Sequence, residues 1–158
     1  MVQPTLFFVN DPSAKDSEQG AQPSQQFIRT LIRSDSHYLV SSYSNDYGMS
    51  WSKPELTNIP NPHSGVDAVR VAATGDILLI NNDSMEKRNP INVWRSVDQG
   101  KTFKNVLTLD NDPKCEGFSY PAVIQSYIGY VHITYTWVCR HLSSNVRIKH
   151  VVLDPKRL

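Results

Sequence analysis

An eight-residue pattern that occurs twice is the feature that most constrains the fold of this chain. Residues 44–51, the first box, and residues 96–103, the second box, both read Ser-x-Asp-x-Gly with an aromatic residue three positions after the glycine. Ser and Asp side chains form hydrogen bonds with nearby backbone amides, and Gly adopts a positive φ, so each box predicts a hairpin. A strand-like run precedes each copy. A repeat of about 50 residues in phase with strands predicts a β-propeller.

The rest of the chain is predicted to repeat the same order of strands and turns. This predicts an all-β fold with about three four-stranded blades, the last without its outer strand. The predicted turns are Thr74-Gly75-Asp76 and Ile128-Gly129, and the polar segment 10–26 is predicted to be a loop. No segment shows a convincing helical period. The predicted strands are 2–9, 27–33, 37–43 and 55–59; 65–72, 76–81, 91–95 and 104–109; and 119–125, 130–137 and 147–153.

We therefore expect a single partial propeller domain over residues 1–158, with blades at about 1–60, 61–113 and 114–158. Propellers usually close with four to eight blades. Either the chain is a fragment of a larger ring, which we favour, or it assembles with another chain. On the fragment interpretation, the N-terminal half of the propeller is needed to complete the ring.

Composition excludes several classes of partner. The net charge is +1 and the sequence pI about 7.8, so we expect no nucleic-acid partner. No apolar run approaches the length of about 20 residues that a membrane span needs. The first residues, Met1-Val2-Gln3-Pro4, do not predict a signal peptide in this segment, and secretion of the parent protein stays open. Cys115 and Cys139 lack metal-ligand spacing, so they either form a disulfide or remain free thiols, and we expect no metal or cofactor.

The two boxes are Asp-boxes, the bacterial neuraminidase repeat, and the chain resembles the C-terminal half of a protein of the sialidase superfamily. The boxes alone specify only a propeller hairpin. The resemblance extends from Arg33 to Pro155, through the segments Pro-Asn-Pro-His-Ser-Gly-Val-Asp-Ala-Val-Arg, Asn-Asn-Asp-Ser, Phe-Ser-Tyr-Pro-Ala-Val-Ile-Gln, His-Ile-Thr-Tyr-Thr-Trp and Arg-Ile-Lys-His-Val-Val-Leu-Asp-Pro. It implies a six-bladed glycoside hydrolase.

The resemblance also implies site residues. Sialidases use a tyrosine nucleophile, which matches Tyr120, and arginines that bind the sugar carboxylate, two of which match Arg33 and Arg88. Guanidinium groups suit this task because they bind a carboxylate through two hydrogen bonds, and nearby positive charge makes a phenol easier to ionise. The glutamate that pairs with the tyrosine falls at Gln3, which cannot act as a base. The first arginine and the acid/base aspartate belong to blades that this chain does not contain.

Superposing the three predicted units places Gln3, Asp67 and Tyr120 at comparable points near the propeller axis, and Asp67 becomes a second catalytic candidate. Asn82, Arg70 and Arg147 complete the substrate-binding candidates. The alternative for each is structural: an Arg at a strand end is usually a solvated surface residue, and Asp67 could cap a turn. The leading hypothesis is an exo-α-sialidase-type glycoside hydrolase acting on a terminal, acidic sugar. Two alternatives remain, a non-catalytic glycan-binding or interaction propeller and a scaffold whose boxes are purely structural.

Overall fold

A computed structural model describes residues 2–10 and 27–158, and within these the chain forms eleven strands and one short 3₁₀ helix. The predicted loop over residues 10–26 lies, apart from Asn10, outside the described residues. No helix of the described part is long and apolar enough to cross a membrane. The elements are β1 (Val2–Val9), β2 (Phe27–Arg33), β3 (Tyr38–Ser44), β4 (Glu55–Pro60), β5 (Asp67–Arg70), β6 (Ile77–Asn81), β7 (Ile91–Ser96), β8 (Lys104–Asp110), β9 (Gly117–Gln125), β10 (Val131–Val138), β11 (Arg147–Leu153) and the helix Pro155–Arg157.

The strands form three antiparallel meanders, which confirms the predicted all-β propeller architecture. Blade 1 has the order β1-β2-β3-β4, blade 2 the order β5-β6-β7-β8, and blade 3 the order β9-β10-β11. All eleven strands begin and end within two residues of the predicted limits. The largest difference is at β5, which covers Asp67–Arg70 instead of 65–72. It is shorter because Val71 already belongs to the following hairpin, where its amide donates to the Asp76 carbonyl.

Two apolar cores lie between the blades, and blade 2 contributes to both of them. Every residue of β6 is buried, and its side chains alternate as the period of a strand requires. Ile77 and Leu79 pack towards blade 1 with Phe7, Val9, Leu31, Leu39, Ile59, Val66 and Trp94. Leu78 and Ile80 pack towards blade 3 with Val71, Ile91, Val93, Cys115, Phe118, Val123, Val131, Ile133, Tyr135 and Cys139. A strand buried on both faces fits the middle layer of a stack of sheets.

The carboxylate of Asp67 joins the innermost strands of all three blades. Its Oδ1 atom accepts hydrogen bonds from the Thr5 hydroxyl and from the amide of Ala68, both at 2.9 Å. Its Oδ2 atom accepts one from the Val123 amide at 2.9 Å. Thr5 belongs to β1, Asp67 to β5 and Val123 to β9, so one side chain sets the relative height of three strands at the axis.

Cys115 and Cys139 form a disulfide, which resolves the alternative that the sequence left open. Cys115 precedes β9 and Cys139 follows β10, so the bond closes the end of the hydrogen-bonded strand pair in blade 3. Bridging residues 24 apart removes chain entropy from the unfolded state worth about 3 kcal/mol. Both sulfurs belong to the core between blades 2 and 3.

Candidate active site

Two bulged strands present Gln3 and Tyr120 at the axial edge of the sheets. Each residue precedes a proline, each has a positive φ (53° for Gln3 and 52° for Tyr120), and the strand register shifts at both places. A bulge redirects one side chain out of the strand's regular alternation. The left-handed conformation is unfavourable for residues with a Cβ atom, and such strain is concentrated at functional sites. Gln3 and Tyr120 therefore occupy equivalent, specialised positions in blades 1 and 3.

Gly65 fills the space between these two side chains. A Cβ atom on Gly65 would lie 3.0 Å from Cδ1 of Tyr120 and 3.2 Å from Oε1 of Gln3. The structure thus places Gly65, rather than Asp67, between Gln3 and Tyr120. Asp67 lies two residues further along the chain, with both carboxylate oxygens in hydrogen bonds to the inner strands. A side chain at position 65 would crowd the tyrosine, and this accounts for a glycine at this point.

Arg33 and Arg88 converge on Tyr120 from two different blades. Arg33 is the last residue of β2, and Arg88 lies in the loop before β7. The Nη1 atom of Arg33 and the Nη2 atom of Arg88 both donate to the carbonyl oxygen of His63, each at 3.4 Å. The guanidinium carbon of Arg88 stands 4.9 Å from the centre of the Tyr120 ring. Two fixed positive charges therefore border one phenol.

These arginines lower the pKa of Tyr120 below its ordinary value near 10. The largest cause is the polar interaction of Arg88 with the phenol, followed by the charge of Arg88 and by the polar interaction of Arg33. Burial opposes the shift only weakly, because the Tyr120 side chain is 47% exposed. The phenolate is the nucleophilic form of tyrosine, so the arrangement favours the reactive form at an open surface.

A pair that the sequence reasoning did not identify borders the same place. Nε2 of His63 lies 3.2 Å from Oδ1 of Asp35, and His63 has a φ of 54°. The His63 backbone accepts the hydrogen bonds from both arginines, so this residue positions Arg33 and Arg88. The pairing of His63 with Asp35 has no local signal in the sequence, because the two residues are far apart in the chain.

The other substrate-binding candidates lie away from Tyr120 or have structural partners. Asn82 is buried, and its amide donates to the carbonyls of Pro90 at 2.7 Å and Phe118 at 3.1 Å. Arg70 lies at the far end of β5, where it donates to Asn10 Oδ1 at 2.9 Å. Arg147 begins β11, opposite Trp137 of β10, and is exposed. The structure brings together Gln3, Arg33, Arg88 and Tyr120, and it places Arg70 elsewhere.

No group of three or more possible metal ligands lies around Tyr120 among the described residues. The one cluster of that kind in the described ranges surrounds Cys115 and Cys139. Tyr120 offers the chemistry of a polarised phenol beside two guanidinium groups. Such a place can bind an anionic group of a ligand and present an oxygen nucleophile to it.

Comparisons with known proteins place this geometry in a wider context. A family model described as "BNR repeat-like domain" matches residues 18–133. Among curated proteins, none matches the chain. The solved structure of the NanB sialidase of Streptococcus pneumoniae matches this chain with a TM-score of 0.64 and 16% identity. The match covers 84% of this chain and 22% of that one.

Two further solved structures match over almost the whole chain. The intramolecular trans-sialidase of Ruminococcus gnavus gives a TM-score of 0.63 at 18% identity, covering 97% of this chain and 33% of that one. The α-L-arabinanase of Penicillium chrysogenum gives 0.63 at 14% identity, covering 97% of this chain and 51% of that one. The chain thus spans between about a fifth and a half of the length of the structures that it resembles. At these identities the likeness shows a shared propeller fold.

Proposed function

The chain belongs to the family of BNR repeat-like domains, and from that premise we propose that it forms part of the active site of a sialidase-like glycoside hydrolase. The observation that carries the proposal is the convergence of Arg33 and Arg88 on Tyr120. The substrate is a glycan with a terminal acidic sugar. Its carboxylate binds the two guanidinium groups, and its anomeric carbon faces the Tyr120 oxygen.

In this mechanism Tyr120 is the nucleophile. The Tyr120 phenolate, which is the form that the two arginines favour, bonds to the anomeric carbon while the bond to the leaving group breaks, and an acid supplied outside this chain gives the leaving oxygen a proton. Water then attacks the anomeric carbon, gives its proton to that same external group and releases the sugar, which leaves Tyr120 as the phenolate. A tyrosine suits an anionic substrate better than a carboxylate does, because the charge of its ionised oxygen is offset by the two guanidinium groups beside it. Sialidases with a tyrosine nucleophile depart from the usual pair of carboxylates in glycosidases.

The apolar outer faces of blades 1 and 3 support the proposal that further blades exist in the parent protein. On β1, Thr5, Phe7 and Val9 are buried against blade 2, whereas Leu6 and Phe8 on the opposite face are 56% and 51% exposed. The third blade exposes Ile124 (65%), Ile148 (69%) and Val152 (49%). Contiguous exposed apolar surface of this kind usually marks an interface. We propose that the N-terminal half of a propeller covers these faces and completes the site around Tyr120.

The decisive experiment measures hydrolysis by the full-length parent protein carrying Tyr120→Phe. Tyr130→Phe is the matched control, because Tyr130 also lies in blade 3 and is 45% exposed compared with 47% for Tyr120. We expect Tyr120→Phe to lower kcat by at least about 10³-fold and the control to leave it unchanged. Both an aryl α-sialoside and an aryl α-L-arabinofuranoside serve as substrates, since matches of both kinds share the fold. Unchanged turnover in Tyr120→Phe would refute the nucleophile assignment.

A second experiment tests the electrostatic arrangement without requiring turnover. Arg88→Ala removes the main cause of the lowered pKa of Tyr120, so the phenol should titrate nearer its ordinary value. The signal is the difference in phenolate absorbance between Arg88→Ala and the same protein with Tyr120→Phe added. Arg140→Ala is the control, because the Arg140 side chain pairs with Glu116 instead. A phenol titration that stays the same in Arg88→Ala would contradict the proposed contact.

One observation favours a non-catalytic glycan-binding propeller as the second candidate. Gln3 lies beside Gly65, across from Tyr120, and its amide cannot take up a proton as a glutamate could. A site with arginines and a phenol but no base would bind an acidic sugar without cleaving it. Binding on a glycan array without release of sugar by the parent protein would support this function. Gln3→Glu would then be the variant with which to look for a gain of hydrolysis.

A further inference from the structure

The end of blade 3 gathers four side chains of metal-ligating type. One ligand atom each from Asp112, Cys115, Cys139 and His141 lies within 4.8 Å of the other three. Asp112 and Cys115 come from the loop between β8 and β9, and Cys139 and His141 come from the segment after β10. The strand pairing β9–β10 holds the two segments together, so the grouping results from a rigid part of the fold.

Contacts within the cluster show that the side chains face one another. The sulfur of Cys139 lies 3.3 Å from Nδ1 of His141, and Nε2 of His141 lies 3.2 Å from Oδ2 of Asp112. The other carboxylate oxygen of Asp112 accepts a hydrogen bond from the Lys114 amide at 2.9 Å, which orients the group. In metal sites, hydrogen bonds of this kind hold the ligand side chains in a fixed orientation.

We propose that this cluster is a redox-gated zinc site, closed by the disulfide when oxidised and by Zn²⁺ when reduced. The ligands are the two thiolates, a ring nitrogen of His141 and a carboxylate oxygen of Asp112. Two sulfurs, one nitrogen and one oxygen make up a tetrahedral set of the type that zinc prefers, with Zn–S bonds of about 2.3 Å and Zn–N bonds of about 2.0 Å. Thiolate and imidazole ligands also select zinc over Mg²⁺ and Ca²⁺.

The charge around the cluster is compatible with a bound metal. Two thiolates and one carboxylate exceed the charge of Zn²⁺ by one negative charge. The basic side chains of Arg147 and Lys149 border the same cleft as Asp112 and Cys115. Lys149 is already paired with Asp110, at 2.8 and 2.9 Å, so Arg147 is the cation that remains to offset the excess charge.

The change between the two states balances through a thiol reductant. A dithiol transfers two electrons and two protons to the Cys115–Cys139 bond, so the S–S bond breaks, two thiols form and the dithiol becomes a disulfide. Zn²⁺ then displaces the two thiol protons as it binds the sulfurs, which makes binding stronger at higher pH. A disulfide oxidant reverses the sequence: it takes two electrons from the two thiolates and becomes a dithiol with two protons from the solvent, the Cys115–Cys139 bond forms, and Zn²⁺ is released.

The cluster lies beside the segment that carries Arg88 and Asn89. The Asn89 side chain donates to the carbonyl of Asp112 at 2.7 Å and to that of Cys115 at 3.4 Å. The Phe118 amide donates to the carbonyl of Arg88 at 2.6 Å. The loop that carries two of the four ligands is thereby attached to the segment Arg88–Asn89. A crosslink in either redox state keeps that attachment in place.

The test uses the whole chain, stripped of metal by a chelator and reduced with a phosphine. Titration with Co²⁺ should produce the thiolate-to-cobalt charge-transfer band and the visible bands of a tetrahedral ion, and Zn²⁺ should abolish both by displacement. The disulfide form should give neither signal. Zinc should also raise the melting temperature of the reduced protein and leave that of the oxidised protein unchanged.

Variants that keep both cysteines distinguish this site from other metal binding. His141→Ala and Asp112→Asn should each lower the Zn²⁺ affinity of the reduced protein, His141→Ala by more than the roughly 10- to 100-fold typical of second-shell changes. The control is His150→Ala, which removes the other His contact of blade 3, a 3.1 Å pair with His132. Loss of binding in His150→Ala but not in His141→Ala would overturn the proposal, as would cobalt signals from the oxidised protein or none from the reduced one.

Discussion

The two boxes have nearly the same internal hydrogen bonds. In the first, Ser44 donates to Asp46 at 2.7 Å and accepts from the Gly48 amide at 2.8 Å, and Asp46 accepts from the amide and hydroxyl of Ser50. In the second, the corresponding contacts link Ser96, Asp98, Gly100 and Thr102, and each matching distance agrees within 0.1 Å. The local sequence therefore specifies the hairpin without help from its surroundings.

The surroundings of the two boxes differ completely. Gly100 of the second box is buried against blade 1, where a Cβ atom would lie 2.7 Å from Cε2 of Phe7 and 3.1 Å from Cδ of Arg29. Gly48 of the first box meets only Trp51 and Ile28 of its own blade, at 3.8 and 3.9 Å. Phe103 packs against the core between blades 1 and 2, whereas Trp51 remains 42% exposed. The same motif is an interface element in one blade and a surface feature in the other.

Each box can therefore contribute to stability in two separable ways. One is the set of hydrogen bonds that closes the hairpin, which both boxes have. The other is the contact with the preceding blade, which only the second box has among the described residues. Substitutions at matched positions of the two boxes separate these contributions, since each pair changes the same local chemistry in a different environment.

The largest contrast is expected for alanine at the two glycines. Gly100→Ala places a methyl group against Phe7, which is 5% exposed and unable to move aside, and it also forces a left-handed conformation on alanine. Overpacking costs about 1–3 kcal/mol and the left-handed backbone about 1–2 kcal/mol, so we expect a loss of about 3 kcal/mol. Gly48→Ala bears only the backbone cost of about 1 kcal/mol. Urea unfolding of both variants measures the contrast, and equal losses would show that blade contact adds nothing.

A smaller contrast concerns the aspartates, and it appears as a dependence on pH. The hydrogen bonds from Ser50 lower the pKa of Asp46 to about 2. Burial opposes ionisation of Asp98, yet hydrogen bonds from Thr102 and Ser96 outweigh it and lower that pKa as well. A lowered pKa means that each carboxylate stabilises the fold above the ordinary value of about 3.9 and that this stabilisation is lost as the pH falls towards 2.

Asp98→Asn should therefore lower the free energy of unfolding at pH 7 by about 1–2 kcal/mol and make the acid transition less steep. Asp46→Asn should act in the same direction with a smaller effect, because only Asp98 also faces the charge of Arg29 in blade 1. Thermal melts between pH 2 and 7 give both quantities. If either Asn variant lost stability on acidification as steeply as the unsubstituted chain, that aspartate would not be the group responsible.

Sequence reasoning was most successful where local chemistry decides the structure. The boxes, the hairpin at Thr74-Gly75-Asp76 and almost all strand limits follow from short patterns of turn residues and alternation, and the structure confirms them. The convergence of Arg33 and Arg88 near Tyr120 was implied by family resemblance, because three blades meet there and no spacing in the chain encodes the contact. The sequence likewise left the disulfide open, since it depends on the alignment of β9 with β10.

At the axial position, the sequence alone does not determine which residue of blade 2 corresponds to Gln3 and Tyr120. Asp67 was aligned with Gln3 and Tyr120, but the structure places Gly65 between those two side chains and Asp67 among the strand amides. A shift of two residues keeps the same face of a strand, so the alternation of apolar residues cannot detect it. The bulges before Pro4 and Pro121 alter the count in blades 1 and 3, and blade 2 has no proline at that point to reveal the offset.

The interaction between Arg29 of blade 1 and Asp98 of blade 2 predicts a third difference between the boxes. Arg29 of β2 is half buried, and burial lowers its pKa. The charge of Asp98 is the largest influence that opposes this shift, whereas Asp46 is not among the charged neighbours of Arg29. A double-mutant cycle with Arg29→Met and Asp98→Asn should give a coupling of about 0.5–1 kcal/mol. The parallel cycle with Asp46→Asn should give no coupling. Unfolding free energies of the single and double variants provide both numbers, and equal coupling in the two cycles would remove the distinction between the boxes.

The smallest difference in stability between the boxes is expected for the outermost contact of the second box. Gln99 accepts a hydrogen bond from the Asn10 amide of blade 1 at 3.0 Å, and Tyr47, at the matching position of the first box, is 66% exposed. Both residues have a positive φ, 64° and 59°, so an alanine in either place keeps the same backbone strain. Gln99→Ala should cost about 0.5–1 kcal/mol, and Tyr47→Ala less than about 0.5 kcal/mol. Hydrogen exchange at the Asn10 amide is the direct measurement. The exchange should accelerate in Gln99→Ala alone, because only that variant removes the acceptor of the hydrogen bond that joins the end of β1 to the second box.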